Sequence, residues 1–306
     1  HGDESTATMA MFDIFNYLKE NRGILEGLKV HFIPMLNPDG AELFQRRNAI
    51  GIDINRDALR LQSPESGILK AARDSLEADY GFNLHDQSRY YNAEKTAKPA
   101  TLSFLAPAFN DEKDMSEKRG DAMKIIAMMN EVVQKHAEGQ VGRYSDAFEP
   151  RAFGDNMQKW GTRTILIESG GHPDDREKQF IRKLNYLSIL TAIKGISDQS
   201  FKAKSTKAYW DIPRNDRKLF DLKIENLAFP YLGATYTVDL GIIYDEIENN
   251  NHSDFYLVGK IVDIGDLSTH YGYETLSAEG FTFKTGETYP NILSNFEEFR
   301  ELDIPQ

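Results

Sequence analysis

The chain has 306 residues, 40% hydrophobic and 27% charged, with a formal net charge of −12. This suits one large or two smaller globular domains with a sizeable core, and the acidic balance argues against a nucleic-acid binder, which needs a basic stripe. Cysteine is absent, which excludes disulfides, thiolate metal sites and cysteine nucleophiles; a transition metal would have to sit on His, Asp or Glu. No apolar run approaches the roughly 18 residues of a membrane span, and composition leaves the compartment open.

The chain opens on His1-Gly2-Asp3-Glu4 without an initiator Met and reads as truncated or processed, so missing targeting information at this end carries no meaning. From Ser5 to about Asn21, apolar residues including Met9, Phe12 and Leu18 recur every three to four positions, which predicts a helix ending near Gly23. Val30 to Met35 is a short apolar run closed by Asn37-Pro38-Asp39-Gly40, the pattern of a buried strand and its turn. A helix is expected over Ser63–Leu76, a strand at Gly81–Leu84 running into His85, a Met-rich helix from Glu117 to about Lys135, a strand at Thr164–Ile167 ending on Glu168, and a long helix over Asp175–Ile196.

Alternating strands and helices predict an α/β domain whose mixed, mostly parallel sheet is flanked by helices. In such sheets chemistry gathers beyond the carboxyl ends of the strands, where His85 and Glu168 both fall. After about Ser200 the pattern changes to short alternating runs, Leu222–Ile224, Tyr236–Leu240, Phe255–Leu257 and Ile261–Ile264, separated by polar turns such as Glu248-Asn249-Asn250-Asn251. The expected division is a catalytic domain over residues 1–198 and a C-terminal β-rich accessory domain over 199–306.

His1 and Glu4 can be aimed at one point by a single turn, and an imidazole with a carboxylate suits zinc. Arg46 to Arg56 carries three arginines and two asparagines around Gly51; the planar guanidinium fork suits a carboxylate or a developing oxyanion. Glu168 closes an apolar strand, and acids are rarely buried unless paired or used. The bland reading of each alone is a surface turn, a charged loop or a structural residue.

In order, these pieces are His-x-x-Glu, Asn-Pro-Asp-Gly, Gly-x-Asp-x-Asn-Arg, strand-His and strand-Glu. Together they resemble the M14 zinc carboxypeptidase family over roughly residues 1–198. The resemblance implies one Zn2+ per chain, held by His1, Glu4 and His85. It implies Arg46 polarising the scissile carbonyl, Asn55 and Arg56 gripping a terminal carboxylate, Asp53 orienting a ligand histidine, and Glu168 as general base and acid. It also implies strands ahead of His1. The digestive members of the family carry a mobile Tyr about five residues before a Gly-rich segment; counting back from Gly154 lands on Glu149, with Phe148 beside it. Tyr144 is the candidate substitute and Arg151 a further candidate substrate contact. Asp155 and Asn156 fall near the positions that sort side chains, where an acid would favour a basic terminal residue.

The expected substrate is a peptide or N-acyl amino acid with a free carboxylate, and the leading reading is a metallocarboxypeptidase. Rivals are an amide deacylase resembling the succinylglutamate desuccinylase and aspartoacylase branch, a cell-wall peptide amidase, and a non-catalytic binding protein on the same fold. His31, His136, His172, His252 and His270 read as structural or surface residues, with His172 closest to the expected rim. A glycine-driven echo of the small β-sandwich of amidohydrolases over Gly259–Gly265 and Ala278–Gly280 has no barrel metal motif beside it.

Overall fold

The computed structural model describes residues 1–250 and 253–280. His252, Asn251 of the polar turn, and the last part of the expected accessory domain lie outside the described residues. The chain divides into two compact units, one of residues 1–94 and 98–217, the other of residues 95–97 and 218 onward. The division falls later than the change of sequence pattern after residue 198.

In the first unit, α1 (Thr6–Glu20) buries Ala7, Ala10, Met11, Ile14 and Leu18, one helical face at the spacing the sequence shows. The expected strand at Val30–Met35 does not form; its residues are in neither helix nor strand. Ile33 and Met35 are exposed. An apolar run becomes a strand only when a neighbouring strand completes its ladder, and none lies beside this one among the described residues. The turn that follows is α2 (Pro38–Glu42), with Pro38 in its first turn and the Asn37 side chain accepting the Gly40 N–H, a capping arrangement.

The other expected elements of this unit are present. They are α3 (Pro64–Leu76), capped by Ser63, and β1 (Tyr80–Asp86). After the short β2 (Asn92–Ala93) and β3 (Leu102–Leu105) come α4 (Glu117–Val133), β4 (Val141–Arg143), α5 (Phe153–Lys159) and β5 (Arg163–Ser169). The long α6 (Gln179–Ser197) starts where both Asp175 carboxylate oxygens accept backbone N–H groups, from Phe180 and Ile181. Then come α7 (Thr206–Trp210) and β6 (Asn215–Asp216), which pairs with β2.

The sheet order is β1-β5-β3-β4. β1 pairs parallel to β5 and β3 parallel to β4, while β3 and β5 run antiparallel, so the sheet is mixed and mostly parallel. Its core packs Leu102, Phe104, Ile165 and Ile167 against Ile14, Met123, Ile126, Leu184 and Ile193. β5 is central and buried over nearly its full length, which explains its continuous apolar run.

The second unit is a four-stranded sheet, β10-β7-β8-β9, built from β7 (Leu219–Tyr231), β8 (Ala234–Glu248), β9 (Phe255–Gly265) and β10 (Tyr271–Ser277). The strands are longer than the sequence pattern suggests, with the runs at Phe255–Leu257 and Ile261–Ile264 joined in β9. Register shifts near Ile224/Leu227 and Gly241/Ile242 let one strand continue where the alternation breaks. Ile224, Leu227, Leu240 and Ile242 form its core.

Candidate metal centre and active site

His1 and Glu4 reach the site through the turn that leads into α1, and His85 through the carboxyl end of β1. The Nδ1 atoms of both histidines face one carboxylate, His1 at 2.7 Å from Glu4 Oε1 and His85 at 2.6 Å from Glu4 Oε2. One ligand atom from each of the three residues lies within 4.8 Å of the others. Burial alone would raise the Glu4 carboxyl, yet the hydrogen bond and charge of His85 hold it below the usual range.

Gly2 explains how the Asn-Pro-Asp-Gly segment serves this cluster. A Cβ at Gly2 would sit 2.1 Å from the Gly40 carbonyl carbon and 2.5 Å from Gln45 O, so the backbone between two candidate ligands packs directly on α2 with no room for a side chain.

Asp53 stands behind His1, its Oδ1 3.3 Å from His1 Nε2. Each of these two atoms is buried and, among the described residues, without another hydrogen-bond partner. The residues therefore fit a metal on chemical grounds: a cation on His1 Nδ1 leaves the ring hydrogen on Nε2, where Asp53 accepts it and both buried atoms are satisfied. Asp53 also accepts from Arg46 Nε at 2.9 Å, which swings Arg46 Nη1 to 3.3 Å from His1 Nδ1 and 3.8 Å from Glu4 Oε1. Arg46 thus lies against the cluster.

Asn55 is held inside the protein. Its Oδ1 accepts the Phe153 N–H at 2.9 Å, and its Nδ2 lies 3.3 Å from His85 Nε2. It braces His85 against the start of α5. Arg56 donates from Nη1 to Asn55 O at 2.7 Å and keeps its guanidinium partly open to solvent.

Glu168 is the register partner of His85 across the parallel β1–β5 pair, so the two side chains leave the same sheet face. It is only 8% exposed. Burial is the largest cause pushing its carboxyl up to about 8, with the Glu4 and Asp86 charges adding and Arg46 and Lys178 opposing.

Tyr144 follows β4 and packs its ring 6.0 Å from that of Tyr91. Burial raises its phenol, and the charge of Glu168 adds to the rise, so the two groups are electrostatic neighbours. Arg151 is exposed and chelates Glu149 through Nε and Nη2, both at 2.9 Å. Asp155 lies in the first turn of α5 and accepts the Glu149 N–H at 3.1 Å. His172, by contrast, is tied to Gln140 at 2.9 Å, with its ring tilted against Phe180 at 4.5 Å between centroids.

One neighbour of the site, Asp86, is not singled out by the sequence pattern. Asp86 Oδ2 accepts from Thr6 Oγ1 at 2.5 Å and from Lys178 Nζ at 2.9 Å, which joins the end of β1 to the starts of α1 and α6. Only the position of Asp86 directly after His85 could have signalled it.

The sequence profile of the zinc carboxypeptidase family matches residues 1–136, the segment that carries His1, Glu4, Arg46, Asp53 and His85. Carboxypeptidase SOL1 of Arabidopsis thaliana is 34% identical over 141 residues, which are 36% of this chain and 28% of that protein. The chain therefore spans well under two thirds of this relative's length. Among solved structures, a candidate metallopeptidase from Shewanella denitrificans OS217 aligns with a TM-score of 0.41 at 16% identity, covering 64% of this chain and 70% of that one. A mutant form of murine aminoacylase 3 aligns with a TM-score of 0.40 at 11% identity, covering 86% of this chain and 94% of that one.

Proposed function

We propose that this chain, whose first 136 residues match the zinc carboxypeptidase family, is a zinc-dependent hydrolase that removes the C-terminal residue of a peptide. The observation that carries the reading is the convergence of His1, Glu4 and His85 within 4.8 Å, with Glu168 in register beside His85 and Arg46 against the cluster.

His1 Nδ1, Glu4 and His85 Nδ1 would hold one zinc ion, with Asp53 fixing the orientation of His1. When bound, zinc supplies a Lewis acid and a water of lowered pKa. Glu168 takes the proton from the attacking water and returns it to the leaving amine. Its burial among other acids favours the protonated form, and the carboxylate that a base requires would be favoured with a dication held nearby. Arg46 donates to the oxyanion as charge develops on the scissile carbonyl. Arg56 receives the terminal carboxylate and sets the substrate in line. Asn55, whose Oδ1 accepts the Phe153 N–H, anchors the backbone from which Arg56 projects. Tyr144, whose phenol feels the charges of Glu168 and Arg56, is the side chain proposed to meet the substrate.

Zinc content by mass spectrometry and turnover on a peptide panel test this. The expected result is one zinc per chain, release of a terminal amino acid, and a loss of about 10²- to 10⁴-fold in kcat for Glu168→Gln with zinc retained. Full activity in Glu168→Gln would reject the general-base role. Cleavage of N-acyl amino acids with no peptide processed would replace the peptidase reading with the deacylase one.

A further inference from the structure

The guanidinium read as the carboxylate anchor already faces a carboxylate of the protein. Glu149 Oε2 lies 3.5 Å from Arg56 Nε and 2.9 Å from Arg151 Nη2. Glu149 Oε1 accepts from Arg151 Nε at 2.9 Å and from the Arg151 backbone N–H at 3.1 Å. The Glu149 N–H is in turn held by Asp155. Three contacts to Arg151 fix the carboxylate, the Asp155 bond holds the backbone that carries it, and Oε2 also faces Arg56.

An exposed ion pair on an unremarkable surface contributes little, and the pair with Arg151 alone would be such a case. The Arg56 contact differs because of where Arg56 stands: it follows Asn55, which touches His85, and its charge is felt at Tyr144, Glu149 and Asp155. A planar guanidinium pairs best with one carboxylate at a time. The hydrogen bonds of Arg151 hold Glu149 ionised down to about pH 2, so its negative charge is present at every working pH.

We propose that Glu149 is a specificity-determining residue of this site: its carboxylate competes with the substrate's terminal carboxylate for Arg56 and narrows the preference for a free carboxylate over a neutral terminus. The proposal rests on the reading of Arg56 as the carboxylate anchor. A substrate with a free carboxylate must displace Glu149 from Arg56 and meets its repulsion, whereas a substrate with an amidated terminus meets neither. Relative to a site with Arg56 unshared, free-carboxylate ligands lose affinity and neutral ones do not.

The test is calorimetric titration of the zinc-loaded protein with N-acetyl-phenylalanine, N-acetyl-lysine and N-acetyl-aspartate and the C-terminal amide of each. Glu149→Gln keeps the shape and removes the charge; Glu149→Ala removes the contact as well, and thermal denaturation reports whether each variant is folded. The expected result is about tenfold tighter binding of the carboxylates by both variants, with the amides changed less than twofold, and an equal fall in KM for peptide substrates. Arg56→Gln should weaken the carboxylates about tenfold. If the carboxylates bind folded Glu149→Gln and Glu149→Ala no more tightly than wild type while Arg56→Gln weakens them, Glu149 is not a competitor and the proposal is overturned. If Arg56→Gln leaves carboxylate binding unchanged, the anchor reading itself is wrong and the proposal falls with it.

Discussion

Replacing Asp53 by Asn should weaken zinc binding ten- to hundredfold. Asp53 Oδ1 lies 3.3 Å from His1 Nε2, and among the described residues neither of these buried atoms has another hydrogen-bond partner. With His1 ligated through Nδ1, the Nε2–H would donate to a carboxylate, a charge-assisted bond worth roughly 1.5–3 kcal/mol. That range corresponds to about one to two powers of ten in affinity, and outer partners of ligand histidines act on this scale. Asparagine preserves the volume and can still accept, so a result near tenfold is expected before one near a hundredfold. Asp53 also accepts from Arg46 Nε, so Arg46→Gln is the matched control: it breaks that pair but leaves Asp53 on His1, and by removing a cation 3.8 Å from Glu4 it should not weaken the metal. Competition against a fluorescent chelator measures both variants without any appeal to turnover. Wild-type affinity in Asp53→Asn, or an equal loss in Arg46→Gln, would refute the reasoning.

Other expectations concern stability and assembly of the site. Burial lifts the Asp155 carboxyl to about 6, above an ordinary value near 3.8. The folded state therefore holds this proton longer than the unfolded chain, and the associated stability is complete below about pH 3.8 and lost as pH rises through 6. The loss is on the order of 2–3 kcal/mol; Asp155→Asn should flatten that part of the urea-stability profile, and an unchanged profile would count against it. Arg119 is 1% exposed and donates to Asp146 at 2.9 Å. Burial opposes ionisation of Asp146, but hydrogen bonds from Lys113 and Arg119 outweigh it and lower its pKa, so this stability is present above about pH 3.8 and lost below it. Asp146→Asn leaves the Arg119 charge buried and should cost about 2–3 kcal/mol at neutral pH, read as a fall in Tm of roughly 5–10 °C; a fall under 2 °C would contradict it. Gly2→Ala should reduce zinc affinity, because the new Cβ meets the backbone of Gly40 and Gln45 and must push His1 and Glu4 away from His85; titration with zinc showing no change would mean that the α2 packing is looser than described.

The sequence by itself determined the elements that carry their own periodicity or caps. α1 follows from apolar spacing, α3 from Ser63 and Pro64, and the ends of β1 and β5 from short apolar runs that stop at His85 and Glu168. The candidate ligands were legible for a related reason, since His1 and Glu4 need only one turn to converge. Tertiary structure decided what depends on neighbours. Val30–Met35 has the composition of a strand but no partner strand among the described residues, and a ladder cannot be completed by one segment alone. Residue order could not show that Asn55 would commit its amide to Phe153 and His85, or that Glu149 would turn its carboxylate on Arg56. Those contacts join residues far apart in the chain, or set a rotamer, and both are chosen by packing around the loop rather than by local preference. The alignment of His85 with Glu168 lies between the two cases: each strand end was visible, but only the parallel pairing of β1 with β5 placed Glu168 beside His85.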